Sequence, residues 1–490
     1  MGASETASKR AQAWVLGLAS VASLMVSLDT LVVSTALTTI KADLGASITQ
    51  LEWTVNAYNL TLAVLLLPAA ALGDRFGRRL VFGVGLGVFV AASGAAALAP
   101  DVGWLIAARA VQGAGAALVL TLALALVSAA YPPERRGAAI GILEGVTGMS
   151  VLGGPVIGGA VTEGLAWEWI FWLNVPIGLA AIALVPSRIR ESFGPDRTID
   201  LRGFALVTGG ALGIVWALVR GNAAGWDSPE VIGTLIAGGL LVGGFVLWEL
   251  RAPQPMLPMR FFRSRAFSAG NAAVFFLFAS LFGAVFFFAQ FMQTGLGSGP
   301  LEAGLQLAPW TATLFVVAPV AGALTDKLGE RPLLVGGLGL QAIGMAWVAL
   351  IAEPGVAYAT MIPALVVAGV GASMAIPPAA TSVVGAVAQE EVGKAAGANG
   401  MLRELGGVFG IALLVAVFAG AGSYASAEAF SDGFGPAIGV SAALSLIGAI
   451  AAIGVPARRA PTAEGVAQSQ PIAALEAEGR AGRAGFRSLH

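Results

Sequence analysis

Asp74-Arg75-Phe76-Gly77-Arg78-Arg79 returns late in the chain as Asp326-Lys327-Leu328-Gly329-Glu330-Arg331. Both copies read acid, base, apolar residue, glycine, charged residue, arginine. Six residues this polar do not sit in hydrocarbon, yet the chain on either side of each copy is apolar for long stretches. Working outward, the apolar runs are about 20 residues each, the length that crosses a bilayer core of ~30 Å at ~1.5 Å per residue. Fourteen such spans begin near Trp14, Leu51, Leu80, Trp104, Ala138, Trp169, Gly203, Val231, Phe267, Ala303, Leu333, Ala357, Ala395 and Phe434. The first copy of the hexapeptide falls between spans 2 and 3, the second between spans 10 and 11. Both therefore lie on the same side of the membrane, which implies a parallel repeat of two halves. The offset is eight spans, whereas two six-helix halves would give six, so two helices are expected between the halves.

The expected organisation is an all-α membrane protein with 14 transmembrane helices. A segment 1–13 precedes a six-helix bundle over 14–186. A polar loop 187–202 leads to two inserted helices over 203–250. A second loop, 251–266, leads to a six-helix bundle over 267–455. The tail 456–490 is polar, carries five arginines, and is expected to be disordered and to contact anionic lipid rather than nucleic acid. The even span count puts both termini on one side. If that side is cytoplasmic, 23 of the 27 Lys and Arg fall in cytoplasmic segments; Arg109 and Arg403 lie within helices, and only Lys41 and Arg220 fall outside. This is a strong positive-inside asymmetry.

Composition agrees. The 490 residues are 57% hydrophobic and 11% charged, against roughly 25% charged in soluble domains. There is no cysteine, which excludes disulfides, thiolate metal sites and cysteine catalysis, and the single histidine is the last residue, His490. Trp14 to Ala36 is long enough to span, so the N-terminal stretch does not read as a cleaved signal peptide. No nucleotide-binding loop with its glycines, lysine and hydroxyl appears, and no catalytic constellation does. The chain is not expected to be an enzyme, nor to use ATP, a metal or another cofactor.

Within span 5, Gly145 to Gly159 reads Gly-Val-Thr-Gly-Met-Ser-Val-Leu-Gly-Gly-Pro-Val-Ile-Gly-Gly. In lipid, small residues let helices approach closely. Gly145, Gly148, Gly153, Gly154, Gly158 and Gly159 predict a smooth helix, with Pro155 supplying a bend. Gly154 and Gly158 are expected to let the two halves meet tightly on one side of a cycle.

Charges inside spans mark proton or ion routes more often than they serve as anchors. Asp29 lies roughly 22 Å up helix 1, and Arg109 about 7 Å down helix 4 from the opposite surface. They therefore share a depth. A carboxylate that gains and loses a cationic partner as a cavity opens takes up and releases a proton; a static pair that only orients helices is the alternative. Arg403 and Glu404 stand about 13 Å into helix 13, and Glu144 about 9 Å up helix 5. As neighbours on a helix, Arg403 and Glu404 point in different directions, so one is expected at the cavity and the other at a helix interface. Asn56, Asn59 and Gln112 are further cavity candidates, with hydrogen bonding between helices as the alternative. In the repeated loops, Asp74 near the start of helix 3 can favour that helix's dipole. Arg75, Arg78 and Arg79 can pair with acids of the other half or only obey topology.

The chain resembles the fourteen-helix drug:proton antiporters of the major facilitator superfamily, over about residues 14–455. Gly73 to Arg79 resembles the superfamily's loop signature after helix 2. Leu28-Asp29-Thr30 with Ala36-Leu37 resembles the branch's helix 1 motif, and Arg109 to Gly115 the helix 4 motif. Gly153 to Gly159 resembles the helix 5 antiporter motif, and Trp169-Ile170-Phe171 with Asn174 to Gly178 the entry to helix 6. Thr38, Glu144, Glu168 and Glu404 depart from the usual pattern. The resemblance implies a major facilitator fold in the cytoplasmic membrane and export by antiport. It also implies gating loops at Gly73, Asp74, Arg75, Gly77, Arg78, Arg79, Asp326, Lys327, Gly329 and Arg331 that stabilise the outward-facing state. The expected activity is efflux of amphipathic or cationic small molecules, driven by the proton gradient and carried out by a monomer. A self-resistance exporter of one natural product is the alternative, and an importer on the same fold a more distant one.

Overall fold

In lipid, backbone N–H and C=O groups find no water and must be satisfied internally, so an uncharged run of this length becomes a helix. The computed structural model describes residues 2–194, 200–387 and 391–457. Beyond positions 456 and 457, the tail lies outside the described residues, as do 195–199 of the first polar loop. Among the described residues there is no strand, and fourteen helices can cross a membrane. They are α1 (Lys9–Leu44), α2 (Ile48–Phe76), α3 (Arg78–Ala97), α4 (Val102–Ala130), α5 (Ala139–Gly164), α6 (Trp169–Arg188) and α7 (Leu201–Ala224), then α8 (Pro229–Glu249), α9 (Arg265–Thr294), α10 (Pro300–Thr325), α11 (Glu330–Ile351), α12 (Tyr358–Val384), α13 (Val392–Ala421) and α14 (Ala427–Ala452).

All but the first and last begin within three residues of the sequence expectation. Helix α14 begins at Ala427 rather than Phe434 because Glu428 and Asp432 sit in its first turns and read as loop. The structure instead uses Ser426 as an N-cap, its hydroxyl accepting from the Ala429 N–H. Similar caps start α2 at Ser47, α4 at Asp101, α8 at Ser228 and α9 at Ser264.

Successive spans alternate in direction, so the start of α1 and the end of α14 share one end of the bundle, the terminal end; the other is the far end. Helices α1 to α6 pack mainly on one another, with α4 lying against α1, α2 and α3. Helices α9 to α14 do the same, with α9 against α13 and α14, and α11 against α12 and α14. Helix α8 packs on α7, and α7 covers the line where α2 meets α13. The groups meet along α2–α13, α1–α9 and α5–α10.

Three spans are interrupted, and two of them form that last contact. Helix α5 breaks at Met149, between pieces Pro133–Gly148 and Ser150–Gly164. The break lies before Pro155 rather than at it, which corrects the expected site of the bend. The ring of Pro155 sits within the second piece and removes only the N–H that would reach back toward Val151. Helix α10 breaks at Leu307 and Ala312. Its far-end piece, Pro300–Gln306, packs on the far-end piece of α5. Toward the terminal end the two part: Pro133–Gly148 packs on α1 and α4, and Thr313–Leu328 on α12 and α11. Between α5 and α10 the bundle is closed at the far end and splayed at the terminal end.

Candidate functional site

Asp29 on α1 and Arg109 on α4 are 3% and 1% exposed, and they form an ion pair through Asp29 Oδ2 and Arg109 Nη1. Two buried charges lose several kcal/mol each in desolvation, recovered only if their hydrogen-bonding capacity is filled. Here it is filled. Asp29 Oδ1 accepts from Gln112 Nε2 at 2.9 Å and from Asn174 Nδ2 at 2.8 Å. Arg109 Nη1 also donates to Gln112 Oε1 at 2.7 Å, and Arg109 Nε to the Thr54 carbonyl at 3.1 Å. Ser93 Oγ accepts from Gln112 Nε2 at 2.8 Å. The guanidinium carbon lies 4.1 Å from the Tyr58 ring centroid, a favourable cation–π geometry. The Tyr58 hydroxyl donates to the Val26 carbonyl. Gln112 can serve both ions because it stands one turn after Arg109 on the same face of α4.

The sequence brought Asp29, Arg109 and Gln112 to attention, but put Gln112 among the cavity candidates; it belongs to the ion-pair network. Asn174, Ser93 and the Thr54 carbonyl were missed. Asn174 did carry a signal, a lone amide within the apolar run of helix 6.

Asn59 lies where both halves meet. With Thr30, Ser34, Phe282, Phe286 and Ile411 it lines a cavity of about 20 Å³, room for about one water. Asn56 Nδ2 donates to Glu52 Oε1 at 3.2 Å, deep in α2. Glu52 is fully buried and was passed over because it falls at the edge of its apolar run, where a charge reads as interfacial. Arg403 and Glu404 do not go separate ways. The long Arg403 side chain folds back and pairs with Glu404 Oε1 at 2.9 Å, so spacing along the helix did not keep the two neighbours apart. Glu404 is buried and Arg403 is partly exposed. Glu144 is exposed on the splayed part of α5.

The glycines of α5 face two ways. A Cβ on Gly154 would fall 2.6 Å from Leu31 Cβ, and one on Gly158 2.6 Å from the Val32 carbonyl oxygen, both on α1 within the same half. This corrects the expected contact. The close approach to the second half is made by Gly159, whose Cβ would fall 2.7 Å from Leu301 Cα and against the Pro300 carbonyl. It is also made from the other side by Gly304, whose Cβ would meet the Pro155 carbonyl. Glu163 Oε2 accepts from the Leu301 N–H at 3.0 Å beside this seam. Gly153 makes only ordinary contacts, and Gly145 and Gly148 face open space.

In the first repeated loop, Gly77 has φ +108° and in the second Gly329 has φ +82°, so both copies turn on a glycine in the same left-handed region. Gly73, four residues earlier, accepts through its carbonyl from the Gly77 N–H. Asp74 ends α2 and pairs with Arg78 at 2.8 Å. The start of α3 is held instead by Glu191, a residue the sequence did not single out. Its carboxylate accepts from the N–H groups of Arg79 at 2.8 Å and Leu80 at 3.2 Å, a favourable place for an anion, and it pairs with Arg79. Arg75 lies 5.2 Å from the Phe76 ring centroid. The paired arginines of this loop thus bind acids of their own half. Lys327 is exposed and Arg331 half-buried on the second loop, and the side chain of Asp326 lies outside the described residues.

A hydrogen-bonded ion pair buried between spans, beside a seam that closes at one end only, is the arrangement of a multi-pass membrane transport protein built from two helical bundles and two additional helices. The chain belongs to the Major Facilitator Superfamily, whose family model matches residues 19–411 and 270–486. Members of that family are transporters rather than enzymes. The chain is 33% identical over 477 residues to the tetracenomycin C resistance and export protein of Streptomyces glaucescens, covering 95% of this chain and 88% of that one. It is 32% identical to the multidrug resistance protein Stp of Mycobacterium tuberculosis, covering 81% and 74%. With the puromycin resistance protein pur8 of Streptomyces alboniger the identity is 33%, covering 83% and 82%. The fold matches the inward-facing, unoccupied structure of a bacterial homologue of the human lysosomal transporter Spinster, with TM-score 0.66, 16% identity, and coverage of 93% and 100%. It also matches a sulfate-bound peptide transporter, with TM-score 0.66, 16% identity, and coverage of 89% and 93%.

Proposed function

We propose that this protein exports amphipathic or cationic drugs and antibiotics across the cytoplasmic membrane in exchange for protons, as a monomer with no cofactor. Relatives that are themselves resistance and export proteins support export over import. The observation that carries proton coupling is the buried Asp29–Arg109 pair with its donors Gln112 and Asn174. The basic-residue asymmetry supports a cytoplasmic terminal end, and on that orientation the splay between α5 and α10 is an inward-open arrangement. Substrate enters from the cytoplasm along the exposed face of α5 and meets Glu144 and, deeper, Glu404 and Asn59.

Protonation of Asp29 removes its charge and with it the attraction to Arg109. Arg109 keeps the Thr54 carbonyl, Gln112 and the Tyr58 ring, so α4 stays on α2 while α1, which carries Asp29, is released. A local charge change thus biases a two-state element, and α1 is the helix on which Gly154 and Gly158 of α5 rest. In the outward-facing state, the first repeated loop exchanges its own-half partners for the second half. A dedicated self-resistance exporter is the second reading, favoured by the tetracenomycin C and puromycin relatives.

Drug susceptibility of cells carrying wild type or Asp29→Asn, with proton flux from vesicles on substrate addition, tests the proposal. Wild type should raise resistance and release protons on substrate, and Asp29→Asn should do neither. Proton-driven export by Asp29→Asn at the wild-type level would sink the coupling role.

A further inference from the structure

A second ionisable group lies inside the bundle without the partners Asp29 has. Glu52 on α2 is fully buried; its Oε1 accepts from Asn56 Nδ2 at 3.2 Å, and its Oε2 has no partner. The Oδ1 of Asn56 also has no partner, nor does the Oδ1 of Asn59. All three orphaned atoms are acceptors. Among the described residues no cation is paired with them. Helix α2 packs on α1, α3, α4, α7 and α13, and the charges of those helices are engaged elsewhere or stand at the other end. On α1, Asp29 holds Arg109 of α4, Lys41 lies over the Tyr424 ring, and Asp43 accepts from Trp167. On α4, Asp101 caps its own helix. On α7, Arg220 pairs with Glu230 and Arg202 lies over Trp248. On α13, Arg403 holds Glu404, and Lys394 sits in the first turn at the terminal end. The arginines that open α3 are also at the terminal end.

An isolated buried carboxylate is among the most costly groups a protein can hold. A proton on Oε2 removes the charge and turns an orphaned acceptor into a donor. The Asn56 amide offers both complements: its N–H already donates to Oε1, and its free Oδ1 is the acceptor an O–H requires. An O–H on Oε2 that reached Asn56 Oδ1 would close a two-bond acid–amide unit and satisfy two of the three orphans.

The position gives this proton a direction. Ile48, one turn before Glu52 on the same helical face, lines a cavity of about 440 Å³ at the far end with Lys41, Phe418 and Tyr424. We infer that Glu52 is a second proton-binding site, loaded from the far-end solution, and that its protonation favours closure of the far end. This rests on the alternating-access reading above, in which the far end faces outside. Burial holds the Tyr424 hydroxyl above its usual titration range, so it stays neutral and does not compete for the proton.

Two measurements on the full chain test the site. Infrared spectroscopy of the protein in nanodiscs at neutral pH should show a carboxylic-acid carbonyl band that is lost in Glu52→Gln and kept in Asp29→Asn. A wild-type spectrum without that band, or one that Glu52→Gln leaves unchanged, overturns the assignment. For closure, the chain lacks cysteine, so spin labels at Leu165→Cys and Pro354→Cys, both exposed at the far end, report the distance across it. In wild type the closed population should fall as pH rises. In Glu52→Gln, whose amide reproduces the protonated acid, it should stay closed throughout. A Glu52→Gln variant that opens with the wild-type pH profile refutes the latch. The proton-coupled export reading fails separately, through an active Asp29→Asn, and that outcome would leave the Glu52 band in place.

Discussion

A methyl group added at Gly159 or at Gly304 enters the seam between α5 and α10, where the atoms in its way are backbone. At Gly159 the new Cβ falls 2.7 Å from Leu301 Cα and against the Pro300 carbonyl, and at Gly304 it falls 3.2 Å from Val156 Cα and against the Pro155 carbonyl. A flexible side chain could swing aside; a helical carbonyl cannot, so the two helices must separate. Overpacking of this kind costs about 1–3 kcal/mol. In the proposed alternating-access cycle the penalty applies only where the far end is closed, because the two helices part when it opens. It therefore appears as a shift between states, about 5–150-fold toward the far-end-open form. The helix propensity gained on replacing glycine by alanine, about 1 kcal/mol, is the same in both states and drops out. Distances between spin labels at Leu165→Cys and Pro354→Cys should lengthen in Gly159→Ala and Gly304→Ala. Gly148→Ala is the control, since nothing lies within 4 Å of its Cβ. If the two seam variants keep the wild-type distance distribution, or if Gly148→Ala shifts it equally, the seam does not hold the far end shut.

Arg109→Ala leaves Asp29 buried with only two amide donors, and loss of one member of a buried pair costs about 3–5 kcal/mol. Its melting temperature in detergent should fall well below that of wild type, and a Tm within a degree or so would remove the pair from the stability account. Gly154→Leu should damage the first bundle rather than shift the state equilibrium, because Leu31 Cβ lies only 2.6 Å from where even the first added carbon would sit. Reduced thermal stability with an unchanged label distance in the surviving fraction is the expected result; a lengthened distance at full stability would put Gly154 on the seam after all.

The fold was legible because a membrane demands twenty apolar residues per crossing and keeps charges in the connections. Twelve starts fall within three residues for that reason, and Ala427 escaped because Glu428 and Asp432 are tolerated in an exposed first turn. The Asp29–Arg109 pair was legible because charge within an apolar run is rare and depth follows from residue count. Its partners were less so: Asn174 is a single amide, and Ser93 and the Thr54 carbonyl carry no signal in their residue type. Orientation was the least legible feature. Six glycines announce close packing but not which neighbour is close. Gly154 and Gly158 turned out to face α1, and only the adjacent Gly159 faces Pro300, a difference of one residue and about 100° around the helix. Glu191 could not be foreseen, since its role depends on the loop after α6 folding back onto the start of α3.

The two buried acids of the first bundle are opposites, and the contrast divides their roles. Asp29 is met by Arg109, Gln112 and Asn174, so each of its oxygens already has a donor in this state. Glu52 has one amide donor and an unmatched oxygen on the same helix as two unmatched amide acceptors, so on the inference above a proton is what completes it. Opening the far end reverses the advantage, because water can then satisfy an ionised Glu52 at no structural cost. A proton that prefers the closed form at Glu52 by each ~1.4 kcal/mol multiplies the closed population tenfold. On the proposed orientation, a low pH outside would therefore favour the closed far end through Glu52. Glu52 takes its proton on closing and loses it on opening to the same far-end solution, so it sets the closed population, while net proton exchange in the proposed cycle rests on Asp29.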